Sequence, residues 1–286
     1  MGTYVVTGAA SGMGGAAAAK LREEGHTVIG VDLKEGDVIA DLSKDVSRQR
    51  AAREVLELAD GNLDGAVIAA GVGPIPGKEN VELILQVNYY GAVKMLEELR
   101  PALAKNGNAK AVLVGSNSTT TMPLVPGFAV NALLKGKTDV AVKAVGVFGD
   151  RATTMAYGAS KIAATRWARD NAVKREWAGE GIRLNVIAPG AILTPLLEKQ
   201  LSSEKEAAAV ENFPVPTGGY GDPKDVGAWI YFMLQDSADF LCGSVVTLDG
   251  GTDAWFRAHD WPKAVPARKL RSYMDRMKEF VPYNKN

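Results

Sequence analysis

The sequence predicts an α/β protein: one doubly wound parallel sheet carried by a single domain. Three observations lead there. Short apolar runs alternate with amphipathic stretches through the first 116 residues, the pattern of βαβ units on a parallel sheet. A glycine-rich turn, Thr7-Gly8-Ala9-Ala10-Ser11-Gly12-Met13-Gly14, joins the first apolar run to an alanine-rich stretch. An acid, Asp32, closes the second apolar run.

Tyr4-Val5-Val6 reads as the first strand, and Gly12 to Glu24 as a helix stopped by Gly25. Thr27 to Val31 is the second strand. Ser43 to Ala59 has helical periodicity, with Ser43 as its N-cap. Ala66 to Ala69 and Ala111 to Val114 are the next strands. Lys78 to Lys105 between them is helical, with Pro101 kinking or ending one segment. Residues 119–155 carry Pro123, Pro126, Gly127, Gly136, Gly146 and Gly149 around short helical pieces such as Val140 to Val145, which reads as an insertion. A long helix from Tyr157 to about Ala178 and a strand Arg183 to Ile187 follow. A helix starts at Asp222-Pro223, where aspartate caps and proline suits the first turn. Ser244 to Leu248 is the last strand. The expected domain is therefore 1–251, with an insertion at about 119–155 and an extension at 252–286.

Bulk properties narrow the function. Thirty-three basic and 33 acidic side chains cancel, giving no electrostatic reason to expect nucleic acid or an anionic membrane as partner. Cys242 is the one cysteine, so no intrachain disulfide forms and a reducing compartment fits. A strand that begins at residue 3 leaves no room for a signal peptide, and no apolar run spans a bilayer; the expected location is cytoplasmic. His26 and His259 stand alone, so no metal site is expected.

Strand, glycine turn, helix and a following acid together predict a dinucleotide site and a Rossmann-type sheet. The glycine spacing is Gly-x-x-x-Gly-x-Gly. Glycines let the backbone approach a pyrophosphate, and the helix N-terminus offers N–H groups to the phosphates. Gly8, Ser11, Gly12 and Met13 are the expected contacts. Asp32 accepts hydrogen bonds from the adenosine ribose and repels a 2′-phosphate. No arginine stands beside Ser11 or directly after Asp32, and Lys34 is the nearest cation, so NAD is preferred over NADP. Asp41-Leu42 either holds the adenine or enters a helix.

Tyr157-Gly158-Ala159-Ser160-Lys161 puts a phenol and an ammonium one helical turn apart on one face. A neighbouring positive charge favours the phenolate, so Lys161 is expected to draw the Tyr157 pKa down; a drop of about 3 units takes roughly 4 kcal/mol. Cys242 reads as a small core residue rather than a nucleophile.

These segments, in this order, resemble the short-chain dehydrogenase/reductase family over residues 3–251. The likeness rests on Thr7-Gly8-x-x-x-Gly12-x-Gly14, Asp32, Ala70-Gly71, Val87-Asn88, Gly115-Ser116, Tyr157-x-x-x-Lys161 and Pro189-Gly190. The resemblance implies that Tyr157 exchanges a proton with the substrate oxygen and that Ser116, with Ser118 as its competitor, orients that oxygen. It further implies that Lys161 holds the nicotinamide ribose and lowers the tyrosine pKa. Asn88 keeps a water in a relay from Lys161, and the segment Pro189 to Thr194, with Gly190, Ile192 and Thr194, meets the nicotinamide carboxamide. Ala70 and Gly71 pass beside the cofactor. Where the family often has Asn-Asn-Ala-Gly this chain has Ile68-Ala69-Ala70-Gly71, which removes side-chain hydrogen bonds behind the cofactor.

Within the family, Val38-Ile39-Ala40-Asp41-Leu42-Ser43, Val87 to Ala92, Arg183 to Ala191 and Thr194-Pro195-Leu196-Leu197 resemble the bacterial 3α-hydroxysteroid dehydrogenase/carbonyl reductases. That implies a secondary alcohol or ketone on a bulky apolar substrate. A smaller aromatic or alicyclic alcohol or carbonyl is the alternative, and a non-catalytic NAD-binding regulatory protein is the alternative of another kind. Leu193 to Val215 is expected to form a lid. Trp255, Phe256 and Trp261 are expected to pack on the body or at a subunit contact rather than line a pocket. The family commonly pairs subunits, so a homodimer or homotetramer is expected.

Overall fold

In each strand, neighbouring side chains point to opposite faces of the sheet, and here both faces are covered. The computed structural model describes residues 1–202 and 212–283. Its seven strands are β1 (Thr3–Thr7), β2 (Thr27–Asp32), β3 (Val38–Ile39), β4 (Gly65–Ile68), β5 (Lys110–Val114), β6 (Arg183–Pro189) and β7 (Val245–Leu248). All pair in parallel, in the order β3-β2-β1-β4-β5-β6-β7. That order reverses between β1 and β4, which opens a crevice at their carboxyl ends.

Alternation along the strands divides the core in two. Val5, Ala66, Ala111 and Leu113 face one layer, with Val55, Leu96, Leu99 and Trp167 packed on them. Val6, Val67, Val112 and Val114 face the other, against Ala17, Leu21, Ile230 and Met233. The first layer is built from α2 (Asp45–Leu58), α3 (Asn80–Leu85), α4 (Ala92–Asn106) and α8 (Ala152–Ala172). The second comes from α1 (Gly12–Glu23) and α10 (Pro223–Met233), with α9 (Pro195–Leu201) between β6 and α10. Between β5 and α8 lie α5 (Ser118–Thr121), α6 (Gly127–Leu134) and α7 (Thr138–Gly146).

Several expectations need correction. Helix α2 starts at Asp45 with Lys44 before it; the Ser43 hydroxyl does not cap but donates to Asp41 Oδ1 at 2.6 Å. Helix α4 runs through Pro101 to Asn106, so Pro101 does not end it. The break lies earlier, in a π-helical turn at Gln86–Gly91 that joins α3 to α4. Helix α8 begins at Ala152, ahead of Tyr157, and ends at Ala172 rather than near Ala178. Val38–Ile39 is a strand, paired through Val31↔Val38 and Asp32↔Ile39. At Asp222 the expected cap is present: its carboxylate accepts from Lys224 N at 2.8 Å, and Pro223 opens α10. The Cys242 thiol donates to Ala172 O at 3.3 Å.

Past β7 the chain continues as α11 (Thr252–Arg257) and α12 (Leu270–Glu279). Trp255, Phe256 and Trp261 remain 70%, 51% and 73% exposed; the Phe256 ring lies 6.0 Å from that of Phe213, and Trp261, against expectation, lines a cleft beside α8 and β7. Part of the expected lid, residues 203–211, lies outside the described residues. Among those described, no helix is long and apolar enough to cross a membrane.

Candidate active site

The glycine turn after β1 is shaped by contacts that exclude a side chain. Gly8 has φ +71°, and a Cβ there would lie 2.9 Å from Ala70 N. A Cβ at Gly14 would lie 2.3 Å from Gly8 O. Gly8 therefore holds glycine for space as well as conformation, and Gly14 for space. Thr7 ties the turn to the end of β4: its Oγ1 accepts from Ala69 N and Ala70 N, each at 3.1 Å. Those bonds support the Ala69-Ala70-Gly71 segment where the family often uses asparagines.

A cleft of about 350 Å³ opens over this turn. Of the residues expected at a cofactor, Gly8, Ser11, Gly12, Met13, Asp32, Asp41, Leu42, Ala70, Gly71 and Thr194 line it. Asp32 Oδ2 accepts from Ala10 N at 3.1 Å and Oδ1 from Leu33 N at 2.7 Å, which fixes the carboxylate at the end of β2. Asp32 and Asp41 are the charged residues of the lining; no lysine or arginine is among them. Asp41 Oδ1 accepts from Ser43 N at 2.9 Å, and with the Ser43 hydroxyl this holds its carboxyl below the usual range. Thr194 stands beside Gly12, where a Cβ would come 3.4 Å from its Cγ2. Leu196 lies against Gly73 in the same way, so the start of α9 covers the mouth.

At the inner end, helix α8 presents Tyr157 and Lys161. The Ser116 side chain stands beside the Tyr157 phenol, and Ser116 Oγ accepts from Ser118 N at 3.1 Å. The Ser118 hydroxyl itself is buried without a partner. Burial raises the Tyr157 pKa above its ordinary value, and the neighbouring Ser116 hydroxyl acts against that. Lys161 Nζ donates to Val114 O at 2.9 Å, and burial lowers its pKa to about 8. Asn88 sits in the π-helical turn. Its Oδ1 accepts from Val72 N at 2.8 Å and its Nδ2 donates to Val72 O at 2.9 Å. A Cβ at Gly71 would lie 3.1 Å from Asn88 Oδ1 and 3.6 Å from Lys161 Nζ. Gly71 is thus the point where the cleft meets the asparagine and the lysine.

A family model described as enoyl-(acyl carrier protein) reductase matches residues 8–150 and 129–253, most of the chain. The chain belongs to the short-chain dehydrogenase/reductase family. The 3-alpha-hydroxysteroid dehydrogenase/carbonyl reductase of Comamonas testosteroni is 33% identical, over 90% of this chain and 98% of that one. A cyclohexanol dehydrogenase from a Rhodococcus strain is 29% identical, over 86% of this chain and 94% of its own. The crystal structure of a 3-alpha-hydroxysteroid dehydrogenase from Pseudomonas sp. B-0831, complexed with NADH, superposes with a TM-score of 0.84. It shows 40% identity and covers 90% of this chain and 99% of that one.

Six residues expected at the cofactor by likeness to this family do not line the cleft: Asn88, Tyr157 and Lys161, which stand at its inner end, and Pro189, Gly190 and Ile192. The Ile192 side chain is buried in the core, and its backbone pairs with Gly221. Pro189 O accepts from Asn117 N at 2.8 Å. Gly190 is pressed against Asp249, where a Cβ would meet Asp249 Cβ at 2.7 Å. Asp249 is a group the sequence reading passed over. It accepts from Asn117 Nδ2 at 3.3 Å, Gly251 N at 3.0 Å and Asp253 N at 2.8 Å, tying together the ends of β5, β6 and β7. Its signal was the Asp249-Gly250-Gly251 turn. Val87 and Leu196, members of the quoted motifs, also line the cleft, as do Leu33 and Val72, which carry no signal beyond their places beside the motifs.

Proposed function

We propose that the protein is an NAD-dependent oxidoreductase that interconverts a secondary alcohol and a ketone on a bulky apolar molecule such as a hydroxysteroid. The observation that carries this reading is the placement of Tyr157 beside Ser116 on a helix whose Lys161 reaches the Gly71 corner of the cleft. A dinucleotide fits the cleft: its turn has no room for side chains at Gly8 and Gly14, and its walls carry two carboxylates and no cation. A 2′-phosphate would meet only like charge there, which favours NAD over NADP. Gly8, Ser11, Gly12 and Met13 would hold the pyrophosphate, Asp32 the adenosine ribose, Asp41 and Leu42 the adenine, and Thr194 the nicotinamide end.

The bound nucleotide supplies the hydride acceptor or donor; the protein handles the proton and the geometry. Ser116 donates to the substrate oxygen and orients it. In reduction the Tyr157 hydroxyl gives its proton to that oxygen, and in oxidation the phenolate takes the proton from the alcohol. Lys161 and Asn88 meet at Gly71, where Lys161 is placed to bind the nicotinamide ribose and Asn88 to position the segment beside it. Subunits assembled as a homodimer or homotetramer go with this reading.

The kinship with a cyclohexanol dehydrogenase supports a second reading, a smaller alicyclic alcohol on the same machinery. A panel of steroid, alicyclic and aromatic alcohols, assayed with NAD and with NADP, tests both. The expected result is NADH formation with at least one cyclic secondary alcohol and a clear preference for NAD, with Asp32→Ala narrowing that preference about tenfold or more. NAD binding without turnover of any alcohol or ketone in the panel would overturn the reading, and an unchanged preference in Asp32→Ala would remove the ribose contact.

A further inference from the structure

A second cleft, of about 360 Å³, shares no lining residue with the dinucleotide cleft. Helix α8 forms one wall with Ile162, Thr165, Arg166 and Arg169, spaced so that they share a helix face. The floor is the edge strand β7, through Val245 and Thr247, which point the same way. Asp253 and Arg257 of α11 stand opposite, and Trp261 of the extension closes one side.

The charges do not balance. Three guanidinium groups face one carboxylate, and that carboxylate is already engaged: Arg257 Nε donates to Asp253 Oδ1 at 2.8 Å. Arg166 and Arg169, both exposed, form no salt bridge among the described residues. Like charges three residues apart on a helix repel by a few tenths of a kcal/mol, about what an opposite pair would contribute. Two unpaired arginines in a concave site attract an anion, and their planar forks suit oxyanions held by two parallel bonds. The Thr247 side chain is exposed on the floor and makes no hydrogen bond among the described residues. Ile162, Val245 and Trp261 supply apolar surface beside these polar groups.

We propose that this cleft binds an oxyanion carried on an apolar or aromatic body, a phosphate monoester or a carboxylate. Arg166 and Arg169 hold the charged end, the Thr247 hydroxyl donates to it, and Trp261 covers the ring. The site is separate from the alcohol–ketone reading and stands or falls without it.

Calorimetric titration of the full chain with phenyl phosphate and, separately, phthalate tests this at fixed ionic strength. The comparison is between the wild-type protein, the Arg166→Gln/Arg169→Gln double variant and Arg175→Gln, an exposed arginine outside the cleft. Expected are submillimolar binding of at least one ligand, a loss of about tenfold or more in the double variant, and no change in Arg175→Gln. The tighter ligand identifies phosphate or carboxylate as the group recognised. Equal affinity in the double variant would place the anion elsewhere, the glycine turn included, and overturn the assignment. No binding of either ligand to the wild-type protein, or an equal loss in Arg175→Gln, would do the same.

Discussion

Tyr157 sits where its own ionisation is disfavoured. It is half-buried, and the loss of solvent is the largest influence, pushing the phenol above its ordinary value; the neighbouring Ser116 hydroxyl acts the other way. The ammonium of Lys161 was expected to lower that pKa. Here it is turned to Val114 O and is itself brought to about 8 by burial. A phenol with a raised pKa is protonated at neutral pH, ready to give a proton to a ketone. Oxidation needs the phenolate, so kcat/KM for alcohol should climb on the alkaline side. Removing Ser116 removes the influence that lowers the pKa. In Ser116→Ala the alkaline limb should therefore move to still higher pH, alongside a loss in rate of about 10²-fold or more. A limb that stays in place would show that Ser116 orients substrate without tuning the tyrosine.

Elements were legible where one local cause determines them. Asp222-Pro223 announced α10 because cap and first turn are neighbours in sequence, and the cap bond is present at 2.8 Å. Asp222→Ala should cost about 1 kcal/mol. That corresponds to a fall of about 2–4 °C in Tm by calorimetry, with kcat unchanged. A loss of activity without loss of stability would mean that Asp222 does something other than cap. The start of α8 at Ala152 was missed because Gly149 and Arg151 supply no capping signal, and the helix has no side-chain cap. The π-helical turn at Gln86–Gly91 escaped because its residues continue an apolar pattern of helical period; only the bonds from Asn88 to Val72 reveal its use. Asn117 and Asp249 stand 132 residues apart, a pairing that local pattern does not report.

At the scale of the whole molecule, alternating strands and helices foretold a parallel sheet, and short right-handed crossovers leave few orders for its strands. The dinucleotide turn and the second acid-ended strand were legible because both follow β-strands directly. The extension was not, since local pattern does not report that Trp261 lines a cleft beside α8 and β7. Residues 258–283 are exposed throughout, and Tyr283 donates to Val173 O, just past the end of α8, at 3.0 Å. A chain ending at Arg257 should keep its sheet and both cores, with Tm within about 4 °C of the full chain. A larger fall, measured by thermal unfolding at several protein concentrations, would show that the tail covers apolar surface in an assembly.

The most direct test of the central claim is turnover by Tyr157→Phe, read as NADH absorbance with the best alcohol of the panel and paired with NADH affinity. A phenyl ring keeps the packing and removes the exchangeable proton. The account predicts unchanged NADH affinity with turnover reduced by at least about 10²-fold. Turnover near the wild-type rate would contradict it, because the proton would then travel through some other group.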